Sequence, residues 1–230
     1  MFRPEISEID SADAGRFGSA VPEDVLEYLA SDLWRESLSL FLLDQNPQLE
    51  ALFLLLPGLS KISLGYYGGF DAVQFEGAQN AESVHAAQMV SAYYAHLDEF
   101  LAGLWQRRLG PRLMIVTAAR GTEGQRGYRE LRRLVTRQPA LRGSFEGAPA
   151  GVLMFLGDGI AADAKFYRAD LVDLAPTILY CLGFPVADDF DGKLLTEALD
   201  TGFLARQPLT FIPSYESLAE RSAGAPRSPR

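Results

Sequence analysis

The chain holds a single cysteine, Cys181, in 230 residues, so no intrachain disulfide can form and the framework of a small secreted domain is excluded. Histidine is almost as scarce. His85 and His96 are the only two, and they stand eleven residues apart in one expected helix, roughly 16 Å along its axis at 1.5 Å per residue, too far to share a metal ion. Both read as ordinary helix residues. A Ser-His-Asp hydrolase would have to use one of them, and no G-x-S-x-G turn presents a serine. The phosphate-cradling G-x-x-x-x-G-K-[ST] loop is also missing. The longest apolar run is Ala51 to Leu56, closed by Pro57 and Gly58, whereas a membrane-spanning helix takes about 20 such residues. The N-terminal stretch is acidic (Glu5, Glu8, Asp10, Asp13) and lacks the basic and apolar regions of a secretory signal. These absences set the expectation of a cytoplasmic protein that does not span a membrane.

What is present is the composition of a folded domain. Hydrophobic residues make up 48% and aromatics 11%, too many for a mainly disordered chain. The net charge of −9 is unevenly spread: residues 1–106 carry −12, residues 107–142 carry +8, and residues 143–230 carry −5. The positive stretch contains ten arginines and no lysine. Arg129, Arg133 and Arg137 recur every fourth residue and share one face of an expected helix from Tyr128 to Arg137. Such a face is either a solvated surface or a site for phosphates; nucleic acid is not the expected partner.

Periodicity divides the chain into elements. Pro22-Glu23-Asp24 opens a helix with apolar residues at Val25, Leu26, Leu29, Leu33, Leu40 and Phe41. Leu49 to Leu56 is short and uniformly apolar, the pattern of a strand covered on both faces, as are Leu113 to Thr117 and Gly151 to Leu156. Gly65, Gly68 and Gly69 suggest a loop reaching Asp71, followed by a long helix from Ala78 to Trp105. From Asp173, DLAPTILYCLG reads as an N-cap, a proline in the first turn, an apolar helix and a terminating Gly183. Short apolar strands alternating with helices indicate an α/β domain on a mainly parallel sheet. The expected organisation is a flexible lead-in over 1–20, a single α/β domain over 21–216 and a flexible tail over 217–230. Gly157-x-Gly159-x-x-Ala162 follows a strand as a dinucleotide fingerprint does, but what comes next reads as helix, where that fold needs a second strand ending in an acid.

Leu171 to Leu195, LVDLAPTILYCLGFPVADDFDGKLL, resembles the C-terminal signature of the alkaline phosphatase superfamily, nearest its type I phosphodiesterase and nucleotide pyrophosphatase branch: D-L-x-P-T, then L-G-x-P, then D-G-x-x-L. Gly151 to Ile160, Tyr94 to Trp105 and Ile212 to Glu216 are similar to further family segments, in the family's order. The resemblance implies a three-layer α/β/α fold with a mainly parallel sheet, truncated relative to the family, whose N-terminal part with its own metal-binding aspartate and nucleophile has no counterpart here.

The family's chemistry rests on two divalent metals, usually zinc, that clamp the attacking and leaving oxygens of phosphoryl transfer. Carried over position by position, its D-x-x-x-H falls on Asp71 to Phe75, retaining the acid and replacing the histidine. Its S-D-H-G falls on Ala118-Ala119-Arg120-Gly121, and its later histidine on Phe145. Asp71 is thus the one surviving metal position, no cofactor is expected, and no catalytic residue is identified. The implied function is that of a non-catalytic binding or regulatory module, with Arg120, Arg126, Arg129 and Arg133 as an anion site for phosphate or sulfate. Two alternatives stand beside it: a partial phosphodiesterase active only with a missing N-terminal half or a partner chain, and a polyanion binder acting through the arginine-rich helix. An exposed sheet edge is expected to be covered by a second copy or another protein.

Overall fold

A computed structural model gives a mixed α/β protein and describes residues 15–17, 21–70, 81–107, 112–124, 143–165 and 168–216. Two compact units emerge where the sequence suggests one domain: Met1–Leu109 with Arg120–Val152, and Gly110–Ala119 with Leu153–Arg230. The physical basis of the division is that each unit has its own cluster of buried apolar side chains.

The first unit is built on three helices, α1 (Glu23–Gln45), α2 (Gly58–Phe70) and α3 (Ala81–Arg107). Pro22 caps α1 in an extended conformation, and Glu23 and Asp24 in its first turn complement the positive end of the helix dipole. Val25 and Leu29 from α1, Ile62 from α2, and Met89, Val90 and Tyr93 from α3 meet in the core. Phe17 joins them, 1% exposed, with its ring edge-on to Tyr93 at 6.0 Å. Part of the expected lead-in is therefore anchored, with burial of the Phe17 side chain offsetting part of the entropy lost on ordering the backbone beside it.

Helix α2 replaces the loop expected around Gly65, Gly68 and Gly69. Leu59, Ile62 and Tyr66 fall on one face of it and pack into the core, so tertiary burial overrides the poor helix propensity of glycine. Gly58 is a different case: a Cβ there would lie 1.7 Å from the Tyr93 hydroxyl and 2.5 Å from Asp32 Oδ2. Leu49 to Leu56, expected as the first buried strand, belongs to no sheet among the described residues; exposure alternates from Ala51 to Leu56, the period of an extended chain.

β1 (Leu113–Arg120) and β4 (Ala150–Gly157) pair as a two-stranded sheet. Asp158 N–H donates to Arg112 O at 2.9 Å and Gly121 N–H to Pro149 O at 3.0 Å, which sets the start of β1 beside the end of β4 and makes the pair antiparallel. Exposure alternates along β4, with Leu153 and Phe155 turned to the second core while Val152, Met154 and Leu156 are about half exposed. The burial on both faces expected of these strands does not occur, because among the described residues no sheet has more than two strands. β2 (Glu123–Gly124) and β3 (Gly143–Ser144) form an antiparallel pair in the first unit.

In the second unit, Leu171–Asp173 form a 3₁₀ turn that leads into α4 (Leu174–Cys181). Gly183, at φ +84°, ends α4 as expected: its N–H donates to Tyr180 O and that of Phe184 to Leu179 O, both at 2.9 Å, closing the helix with a Schellman motif. β5 (Val186–Ala187) and β6 (Phe211–Ile212) pair in parallel, and α5 (Thr201–Arg206) is capped by Asp200, whose Oδ1 accepts from the N–H groups of Gly202 and Phe203. The turn through Gly157 and Gly159 opens no helix, unlike a dinucleotide fingerprint; a Cβ on Gly159 would meet the Phe203 ring at 2.7 Å. No helix among the described residues is long and apolar enough to cross a membrane.

Three glycines give a graded test. Gly58→Ala forces two buried polar groups apart and is expected to destabilise by about 1–3 kcal/mol or more. Gly192→Ala, whose Cβ would lie 2.1 Å from Val172 O, is expected to be at least as costly. Gly65→Ala meets nothing within 4 Å in a helix interior and is expected to stabilise by about 0.5–1 kcal/mol. Urea unfolding of the three variants checks the order.

Candidate functional site

Of the residues expected to bind a metal or an anion, Arg120 alone lies among the described residues. It ends β1 and is exposed, as are Thr117, Ala118 and Ala119 before it. Among the described residues its guanidinium has no hydrogen-bond or ion-pair partner. Phe145, at the later histidine position, is partly buried. Asp71, Phe75, Arg126, Arg129 and Arg133 lie outside the described residues, as does the expected helix from Tyr128 to Arg137. Among the described residues no group of three or more His, Cys, Asp or Glu side chains is placed to hold a metal ion. Ala119, Arg120 and Phe145 offer no donor to a divalent cation, so a two-metal centre does not fit the described part of this set, and no chemical step is derived through one.

The segment that carries the resemblance serves the fold of the second unit. Asp173 is 3% exposed, and its carboxylate accepts from Asp170 N–H through Oδ2 (2.9 Å) and from Lys193 N–H through Oδ1 (2.8 Å). It is therefore not the side-chain cap of its own helix that the sequence suggests. Thr177, fully buried, donates to Asp173 O at 2.7 Å and accepts from Leu195 N–H at 3.1 Å. Gly192 fits against Val172 because it has no side chain. The D-x-x-x-T and D-G-x-x-L elements thus clasp the start of α4 to the turn at 192–195, leaving no polar side chain of Asp173 or Thr177 free for chemistry. Burial pushes the Cys181 thiol up to about 11, which favours the protonated form over the reactive thiolate.

The densest group of buried ionisable side chains lies in the first unit. Asp32 is fully buried on α1; its Oδ2 accepts from Gly58 N–H, at the start of α2, at 2.9 Å and from the Tyr93 hydroxyl on α3 at 2.8 Å. Oδ1 has no hydrogen-bond partner and stands 3.6 Å from the Arg35 guanidinium. One turn on, Glu36 is 5% exposed and its Oε1 lies 3.0 Å from His96 Nε2. The His96 ring stands edge-on to Tyr93 at 5.9 Å. Burial raises the Asp32 carboxyl above its ordinary value of 3.8, opposed by the hydrogen bonds from Tyr93 and Gly58 and by the charge of Arg35, and reinforced by Glu36. Burial and the Asp32 charge push the Tyr93 phenol far above its ordinary value.

These residues were not singled out for chemistry from the sequence, where His96 reads as an ordinary helix residue. The signal is nonetheless there: Asp32, Glu36 and Ser39 continue the Val25–Leu29 face of α1 at i+3 and i+4 spacing, placing acids on the stripe that enters the core. The arrangement is closed to solvent and its donors belong to packed helices, so what it does is lock α1, α2 and α3 together.

Comparison with protein-family models, with curated proteins and with solved structures found no match.

The raised carboxyl fixes a pH dependence. Both folded and unfolded chains hold the Asp32 proton below 3.8; above that value the unfolded chain releases it first, so this group's contribution to stability is lost as pH rises through its folded value. Asp32→Asn cannot ionise. Its stability relative to the parent is therefore expected to improve as pH rises from about 4 and to level off once pH passes the folded value of Asp32, as measured by urea unfolding against pH. A difference that stays constant with pH would contradict the assignment.

Proposed function

We propose that the chain is a non-catalytic member of the alkaline phosphatase superfamily that acts as a binding or regulatory module. The observation that carries this reading is the end of β1: where the resemblance places an aspartate–histidine ligand pair, the chain has Ala119 and Arg120, and the arginine is exposed and unpaired. An alanine and a guanidinium cannot replace two metal ligands, whereas a free guanidinium offers positive charge and forked donors to a phosphate or sulfate without a metal. The partly buried Phe145 at a further ligand position supports the same reading. Of the expected three-layer fold on a mainly parallel sheet, only the short β5–β6 pair gives support, since β1–β4 and β2–β3 pair antiparallel; a cytoplasmic setting is supported by the single cysteine.

Two measurements test it together. Calorimetric titration with inorganic phosphate and sulfate is expected to show binding to the parent that weakens about tenfold or more in Arg120→Ala. Incubation of the protein with zinc or manganese and bis(p-nitrophenyl) phosphate is expected to give no hydrolysis above the metal alone. Hydrolysis that scales with protein and requires the metal would overturn the non-catalytic reading, and unchanged anion binding in Arg120→Ala would remove the anion site.

A further inference from the structure

The C-terminal half of α1 is amphipathic in the inverted sense. The side chains turned to the core are Asp32, Glu36 and Ser39, while on the opposite face Trp34, Leu38, Phe41 and Leu42 recur at i, i+4, i+7 and i+8 with exposures of 41%, 38%, 58% and 37%. The extended run that follows repeats the theme. It leaves the end of α1 at Asn46, whose N–H donates to Leu42 O, and returns to the level of Asp32 at Gly58, so it lies antiparallel beside the helix. Phe53 and Leu55 in this run are each 76% exposed, the most exposed large apolar side chains described. Among the described residues, the backbone N–H and C=O groups from Glu50 to Leu56 make no hydrogen bond. An apolar extended segment without a partner is a template for another strand, and natural proteins seldom leave one open.

We propose that this surface of the first unit is the interface of a homodimer, in which Glu50–Leu56 of two copies pair antiparallel about a two-fold axis while Trp34, Leu38, Phe41 and Leu42 of each copy pack at its side. The inference stands apart from the anion site and from the question of catalysis. Two features point to a second copy as the occupant. The exposed parts of these six side chains come to roughly 600 Å² per copy, taking full aromatic side chains at about 150–250 Å². A stable interface buries about 800 Å² per partner, so the patch with a polar rim is of the required size. Antiparallel pairing of a segment with itself is also closed: each copy satisfies the other and no edge propagates. Centred on Phe53, it sets Glu50, the only charged residue of the run, opposite Leu56 and not opposite its own mate.

The association is apolar between copies that each carry −9, so it is expected to strengthen with salt, the opposite of polyanion binding. Sedimentation velocity and light scattering on the full chain, over micromolar to about 100 μM protein, are expected to give twice the monomer mass of 25.2 kDa. Phe53→Asp and Leu55→Asp, at exposed positions, are each expected to weaken the dimer about tenfold or more while leaving circular dichroism and thermal unfolding of the monomer unchanged. Phe41→Asp tests the helix face in the same way. A parent that stays monomeric throughout, a dimer indifferent to all three substitutions, or open-ended assemblies in place of a dimer would each overturn the proposal. None of these outcomes bears on metal content or anion binding, so failure here is distinguishable from failure of the proposed function.

Discussion

One buried carboxylate determines how the first unit is put together. Asp32 stands on α1, accepts from the first amide of α2 and from a tyrosine on α3, and so fixes three helices through one side chain. Taking such a group out of water costs several kcal/mol, and only the hydrogen bonds it receives offset that penalty. The surroundings follow from this requirement. Residue 58 has no side chain because one would occupy the space of the Tyr93 hydroxyl, and edge contacts between the Tyr93 ring and the rings of Phe17 and His96 hold the side chain that carries this hydroxyl. Glu36 and His96 extend the polar seam by one turn on both helices.

A helix that turns its acids inward has to leave its apolar side chains somewhere else. In α1 they face outward, and the run from Glu50 to Leu56 adds an unpaired strand of the same character. The buried polar seam and the exposed apolar surface are therefore two aspects of one inversion, and the proposed homodimer would cover the second of them. In the second unit the buried polar residues Asp173 and Thr177 are satisfied by backbone groups of a neighbouring turn, beside a core of Tyr180, Val186 and Leu195.

Much of this was legible in the residues. Proline with acids opened α1, Gly183 closed α4, and two of the three apolar runs are strands, because each of these signals is local and depends on backbone conformation or period alone. The third run, Leu49 to Leu56, has strand composition and an extended backbone but no partner, and pairing is a property that composition does not carry. The glycine-rich α2 was hidden because its helicity comes from packing Leu59, Ile62 and Tyr66 against other helices. The seam on α1 was hidden because aspartate and glutamate read as surface residues until the period is followed through them. Of the site positions, Arg120 alone could be placed, and the arginines beyond it together with Asp71 lie outside the described residues.

The central claim is that the chain works by binding and not through a two-metal centre. The most direct test is elemental analysis of untagged protein after incubation with zinc and manganese and removal of free ions. The account predicts near-zero metal per chain, because Ala119, Arg120 and Phe145 stand where donors are needed. One or more tightly held ions per chain would contradict it.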